Sequence, residues 1–189
     1  MKAVIVVGGP NGAGKTTAAS TLLPRSLGII EFVNADEIAR GLSPFNPEGS
    51  ALAAGRLMLE RMQMLAQAGA SFAFETTLSG RSHARFLRTC RAAGYELNLV
   101  YLWLPSAQDA LARVAQRVRK GGHHVPDEVV VRRYEAGLRN MRHLYWGLAD
   151  TAVVYDNSGP SILIAERLPD APLIVHDRAR WSLIEEATK

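Results

Sequence analysis

Residues Gly9-Pro10-Asn11-Gly12-Ala13-Gly14-Lys15-Thr16 constrain this chain more than any other stretch. They read G-x-x-x-x-G-K-[ST], the Walker A or P-loop pattern. The flanks meet the context that the pattern requires. Before it, Ala3-Val4-Ile5-Val6-Val7 is an apolar, β-branched run suited to a strand buried on both faces. After it, Lys15 to Leu23 carries Ala18, Ala19, Leu22 and Leu23, which predicts a short helix stopping at Pro24. The glycines let successive N–H groups turn toward one phosphate, and the positive end of the helix dipole adds to the attraction. Lys15 is then placed to reach the β- and γ-phosphates of ATP, and the Thr16 hydroxyl to bind Mg²⁺. Gly9 through Thr17 are the candidate nucleotide-binding residues. A glycine-rich turn that binds nothing would leave the Lys-Thr pair and both flanks unexplained.

The 189 residues, 48% of them hydrophobic and 21% charged, suit one α/β domain with a core of its own. No run of about 18 apolar residues is present to span a membrane. The N-terminus starts a strand at once and lacks the layout of a signal peptide, and Cys90 is the only cysteine. The expectation is a cytoplasmic protein. Charge is uneven. Residues 111–143 hold eight Arg/Lys and three acids, a net of +5, whereas the remainder sums to −1. A local excess favours a polyphosphate site over a long nucleic-acid track.

Strand and helix patterns alternate along the chain, which implies a mainly parallel sheet covered on both faces. Further strands are expected at 29–33, 71–74, 97–104 and 151–155. Helices are expected at 35–41, 50–68, 82–93, 106–120 and 127–148. Residues 162–165 and 173–175 suit a terminal hairpin, and 178–187 a last helix. Leu52, Leu59, Met62 and Leu65 are expected on the buried face of the third helix. Ser106 with Asp109 three residues on is an N-cap signal.

In open parallel sheets, ligands sit beyond the carboxyl ends of the strands. Asp36 follows the second strand and Glu75 the third, and Asn157 follows the fifth. A carboxylate at 36 can accept the proton of an attacking hydroxyl. The structural alternative is that Asn34 or Asp36 caps the next helix. Glu75 suits either a Mg²⁺ contact through water or a hydrogen bond to a substrate hydroxyl. Thr76, Thr77 and Arg81 follow it toward the same cleft. Arg113 and Arg117, four residues apart, share a helix face. With Arg119, Lys120, the Gly121-Gly122 hinge and Arg132-Arg133, they form a basic segment, about 113–133, that reads as a lid over ATP. A solvated charged helix hairpin is the competing reading. His123 and His124 are expected as polar lid groups rather than metal ligands, since no Cys or Glu stands at ligand spacing.

These motifs together resemble the zeta-toxin family of P-loop kinases. The likeness rests on Gly9 to Thr17, Asn34-Ala35-Asp36-Glu37, Phe74-Glu75-Thr76-Thr77, Arg113-x-x-x-Arg117, Gly-Gly-His-His-Val-Pro and Arg132-Arg133-Tyr134. It covers roughly residues 1–160. The resemblance implies a three-layer α/β P-loop NTPase fold with five core strands in the order 2-3-1-4-5 and a helical lid. It implies ATP, Mg²⁺ and a sugar hydroxyl as acceptor, which in zeta toxins belongs to UDP-N-acetylglucosamine. By position, Asp36 is the base and Glu75 the substrate-side acid. Arg117, with Arg132 or Arg133, meets the phosphates. By likeness to nucleoside-monophosphate kinases, Arg113 stacks on adenine beside the Asn157-Ser158-Gly159 turn. The family also implies an antitoxin-like protein partner. Residues 161–189 form a C-terminal extension, and the lid is closest to a free-standing branch of the family.

The leading expectation is thus an ATP- and Mg²⁺-dependent kinase of a small hydroxylated metabolite. Two other readings stay open at this point: an ATPase or switch subunit that works with a partner protein, and a nucleic-acid 5′-kinase.

Overall fold

The structure, a computed structural model, describes residues 2–26, 28–122 and 124–189, and of Arg25 and Ser26 the backbone alone. The expectation for His123 lies outside the described residues.

Strand β1 (Ala3–Gly8) leads through the P-loop into α1 (Lys15–Ser26). β2 (Phe32–Val33) leads into α2 (Ala35–Leu42), then a 3-10 turn at Glu48–Ser50 and α3 (Ala51–Gln67). β3 (Phe72–Thr76) precedes α4 (Ser82–Ala92), and β4 (Glu96–Trp103) precedes α5 (Ala107–Arg119). Helix α6 (Asp127–Asn140) runs on through a wide π-helical turn, Met141–Tyr145, into the short α7 (Trp146–Leu148). β5 (Thr151–Asp156), β6 (Ile162–Arg167), β7 (Ile174–Val175) and α8 (Arg178–Ala187) complete the chain.

Among the described residues the strands form one sheet in the order β2-β3-β1-β4-β5-β6-β7. The first five are parallel, in the order 2-3-1-4-5. The terminal hairpin continues this sheet antiparallel from the β5 edge. This is an α/β P-loop NTPase fold. Alternation along β1 sends Val4 and Val6 into the larger core with α3, α4 and α6, and Ile5 and Val7 into a smaller one under α1.

Local expectations differ from the structure in four places. Helix α1 does not stop at Pro24 but carries it in its last turn. The second strand pairs only at Phe32–Val33, because it is an edge strand with a single neighbour. On α3 the buried stripe is Ala54, Met58, Met62 and Leu65, while Leu52 is 72% exposed. The 3.6-residue period of Ala54-Met58-Met62-Leu65 wins over the leucines, since small and flexible side chains let α3 approach the sheet. The fourth departure is the π-helical turn, which interrupts the single helix expected over 127–148. Arg167 from β6 donates to the Trp146 and Ala149 carbonyls and so satisfies the end of that helix.

Candidate active site

Parallel register brings the site together. Val33 pairs with Phe74 and Val7 pairs with Glu75, so Asn34, Glu75 and the start of the P-loop emerge side by side. The chain then bends at Gly12, whose φ is +79°. A Cβ there would lie 2.6 Å from the Arg113 Cβ, so only glycine lets the loop pass α5 this closely.

Lys15 folds back over this loop. It is 6% exposed, and its Nζ donates to the Pro10 carbonyl at 2.9 Å. Its Nζ also stands 3.6 Å from Glu75 Oε1. The other carboxylate oxygen of Glu75 accepts from the Thr16 hydroxyl at 2.7 Å and from Asn34 Nδ2 at 2.9 Å. Burial pushes the Lys15 pKa down. The Glu75 and Asp36 carboxylates oppose that shift, and the Arg117 guanidinium adds to it. All three groups therefore lie within electrostatic reach of the Lys15 ammonium.

Asn34 links two tasks. Its Nδ2 holds Glu75, while its Oδ1 accepts from the backbone N–H of Asp36 at 2.8 Å and of Glu37 at 3.4 Å. It is therefore the N-cap of α2, and Asp36 sits one residue into that helix. Asp36 is exposed and lines the same cleft as Lys15, Glu75 and Thr76. That cleft has a volume of about 210 Å³. A second cleft of about 310 Å³, bounded by Pro47, Glu48 and His124, shares Ala35, Asp36 and Arg133 with it. Asp36 and Arg133 thus stand at the join.

The other expected residues divide. Thr76 lines the cleft, and its hydroxyl accepts from the Leu78 N–H at 3.1 Å. Arg133 lines both clefts, whereas Arg132 is exposed and lines neither. Arg81 is exposed at the start of α4 and also lines neither. Arg113 donates to the carbonyls of Asn157 at 3.1 Å and Ser158 at 2.5 Å. Asn157 in turn donates from Nδ2 to the Ala13 carbonyl at 2.6 Å. The pair ties the end of β5 to the P-loop. Thr17 is exposed on the first turn of α1. Cys90 is buried, and burial pushes its thiol up to about 11.

Sequence reasoning missed a set of supports. The loop between β3 and α4 carries Leu78 at φ +58°, fully buried. Helix α6 and its π-helical turn hold this loop in place. Asn140 donates to the Leu78 carbonyl at 2.8 Å, and Tyr145 donates to the Gly80 carbonyl at 2.7 Å. Gly137 passes so close that a Cβ would lie 2.2 Å from the Thr77 carbonyl oxygen. At the far side, buried Asp156 accepts from Arg180 of α8 at 2.7 Å and from the Ser158 N–H at 2.8 Å. His83 on α4 lines the cleft, and no sequence signal marked it. Arg142 and His143 contact α8 and the residue that caps it. Arg142 lies over the Trp181 ring at 5.7 Å, and His143 Nε2 meets the Thr188 carbonyl at 2.8 Å.

The donor set suits nucleotide and metal. A hydroxyl and a carboxylate oxygen 2.7 Å apart are hard ligands of the kind Mg²⁺ takes, with phosphates and water completing its shell. No group of three or more His, Cys, Asp and Glu is poised to hold a metal among the described residues. Among the described residues no helix is long and apolar enough to cross a membrane.

Comparison with known proteins agrees with this architecture. An uncharacterized protein of Haemophilus influenzae is 31% identical over 126 residues, 67% of this chain and 88% of that protein. Among solved structures, a chain of the AvrRxo1-ORF1:AvrRxo1-ORF2 complex superposes with a TM-score of 0.78 at 17% identity. The match covers all of this chain, which spans 64% of the length of that one. The same complex solved with ATP gives 0.76, with the same identity and coverage. The PezAT toxin-antitoxin system of Streptococcus pneumoniae gives 0.63 at 15% identity, covering 99% and 86% of the two chains. A sugar kinase of Janibacter gives 0.53 at 21% identity, covering 99% and 92%. At these identities the likeness is one of fold, and that fold is P-loop kinase-like. The family model described as an AAA domain matches residues 4–141, and the chain belongs to that family, AAA_33.

Proposed function

We propose that this protein is an ATP- and Mg²⁺-dependent kinase that phosphorylates a hydroxyl of a small metabolite. The observation that carries the reading is the shared cleft. Lys15 and Glu75 meet at the P-loop, and Asp36 opens onto the same space from the next strand over. A phosphate cradle and a candidate base facing one cavity are the parts that phosphoryl transfer needs. The AvrRxo1 complex solved with ATP supports ATP as the nucleotide.

In this reading the P-loop amides and the N-terminus of α1 hold the phosphates of ATP, and Lys15 neutralises the β- and γ-phosphates. Thr16, with Glu75 through water, would hold Mg²⁺, which when bound would supply charge neutralisation at the phosphates. Asp36 accepts the proton as the acceptor oxygen forms a bond to the γ-phosphorus. The bond from that phosphorus to the β-phosphate oxygen breaks, and ADP leaves. Arg117 and Arg133 stabilise the charge in transit. Arg113 and Asn157 keep the P-loop rigid and border the adenine side. Arg132 and Arg81 have the weakest claim, since neither lines a cleft; Arg117 also lines neither, and its claim rests on its electrostatic effect on Lys15. Val114 of α5 and Val130 of α6, both within 113–133, are core residues, which counts against a lid that moves over that whole segment. The zeta-toxin resemblance makes UDP-N-acetylglucosamine a first acceptor to try. With PezAT described as a toxin-antitoxin system, it also makes a protein partner part of the proposal.

A metabolite screen with γ-labelled ATP, wild type against Asp36→Asn, tests the reading. Label transfer to an acceptor that disappears in Asp36→Asn is expected. Equal turnover by both proteins removes the base. Fast ATP hydrolysis with no acceptor favours a switch subunit instead.

A further inference from the structure

Two polar side chains in the wall of the cleft have no task in the reaction above. Asn11 is 6% exposed, and its Oδ1 is closed off from solvent without a hydrogen-bond partner. His83, in the first turn of α4, repeats the feature. Its Nδ1 is closed off and unpartnered, and its ring lies tilted against Phe74 at 5.2 Å. Both residues line the cleft that holds Lys15, Glu75 and Asp36. The atoms left for a ligand to reach are Asn11 Nδ2 and His83 Nε2, because the inner atom of each side chain is shut off.

A desolvated polar atom without a partner destabilises a fold, and an apolar side chain of the same shape does not. Packing alone therefore favours apolar residues at both positions, one on the P-loop and one on α4. Neither group brings a full positive charge to an anion. Burial holds the His83 imidazole below its ordinary pKa, so the ring is neutral near pH 7, and an amide carries no charge. One hydroxyl can satisfy both, accepting from Asn11 Nδ2 and donating to an unprotonated His83 Nε2. In the kinase reading the charged groups Lys15, Glu75 and Asp36 serve phosphate, metal and the reacting oxygen.

We propose that Asn11 and His83 form a second recognition point, which holds an uncharged hydroxyl of the acceptor beside the one that is phosphorylated. This rests on the kinase reading of the cleft. It selects a vicinal diol over a mono-alcohol, and over an acceptor whose neighbouring group is anionic.

The test uses the full chain and a panel of free diols, pentoses and hexoses, each with its deoxy analogue. Binding is read as the rise in Tm with ADP and Mg²⁺ present, and transfer is read with γ-labelled ATP. Wild type is expected to favour the diol over its deoxy analogue by about tenfold in KM, the scale of one hydrogen bond. His83→Phe is expected to fold with an unchanged or higher Tm, to keep the KM for ATP, and to lose that preference. His83→Gln restores part of it. Asn11→Leu is expected to erode the same preference from the opposite wall. An unfolded His83→Phe marks a structural imidazole and overturns the proposal. So does a preference that persists in His83→Phe, or a wild type that binds no member of the panel. Diol binding that needs these residues without any label transfer sinks the kinase reading and leaves this one standing. Transfer that ignores the second hydroxyl does the reverse.

Discussion

In the kinase reading the two sides of the cleft differ: Lys15, Glu75, Thr16 and Asn34 already satisfy one another, whereas Asn11 and His83 each keep one unpartnered buried atom. At the P-loop, Lys15 is held by Pro10 and Glu75, and Glu75 by Thr16 and Asn34. Arg113 and Asn157 brace the loop from behind. Toward the proposed acceptor, Asn11 at the P-loop tip and His83 across the cleft keep unpartnered atoms, and Asp36 is exposed to solvent. Phe45 stands fully in solvent on the connection that runs toward Pro47. The contrast has a physical reading. A triphosphate is the same in every turnover, so its cradle is pre-formed, and rigid dipoles aimed at a fixed charge need no reorganisation. An acceptor must be told from its competitors, and that depends on polar groups satisfied only by the right partner.

The strongest way to break the comparison is Asp36→Asn. Transfer is expected to fall by about 10²- to 10⁴-fold, the scale of general base catalysis, with ATP affinity unchanged in calorimetry. An equal loss of ATP affinity would merge the two halves. Lys15→Met acts on the other side. It is expected to lower kcat by about 10²- to 10³-fold and to weaken ATP binding as well.

Gly137→Ala tests the support beneath the acceptor half. Its Cβ would meet the Thr77 carbonyl at 2.2 Å, so α6 must shift, at a cost of about 1–3 kcal/mol in urea unfolding. The KM of the acceptor should rise before that of ATP does. Asn34→Ala removes a helix cap, at a cost of about 1 kcal/mol, and frees Glu75 on one side. Both substrates should then bind less well, because Asn34 belongs to both halves.

The smallest effect is one of pH. Lys15 titrates below its ordinary 10.5 in the fold because burial disfavours its charge. Between the lowered value and 10.5 the unfolded chain binds more protons, so stability rises with pH through that window. Urea unfolding of wild type, but not of Lys15→Met, should show that rise. A flat wild-type profile would mean that Lys15 is better solvated than its position in the fold implies.

How far the site could be read from the chain follows from the range of each interaction. Ser106 does cap α5, accepting from the Asp109 N–H at 3.1 Å, because a cap reaches only three residues. Gly94 closes α4 at φ +82° for the same local reason. On α3 Met62 and Leu65 are buried as the pattern predicts, but Leu52 is exposed and Met58 takes the core position, because the two are equally apolar and only the approach of the sheet chooses between them. The sequence offers Asn34 or Asp36 as a cap, a choice made locally, but the second hydrogen bond of Asn34, to Glu75 across 41 residues, has no local trace. The same holds for Asp156 and Arg180, 24 residues apart.

The sequence by itself determined the phosphate cradle, since glycine spacing, Lys15-Thr16 and the flanking strand and helix lie within about 25 consecutive residues. It also determined the alternation of strand and helix, which follows from period and caps. Only the tertiary structure decided which side chains share a cavity. Parallel register sets Asn34 and Glu75 beside the P-loop, and the packing of α4 and α6 brings His83 and Arg133 to the far wall. Those placements depend on contacts between residues far apart in the chain, and a local pattern carries no record of them.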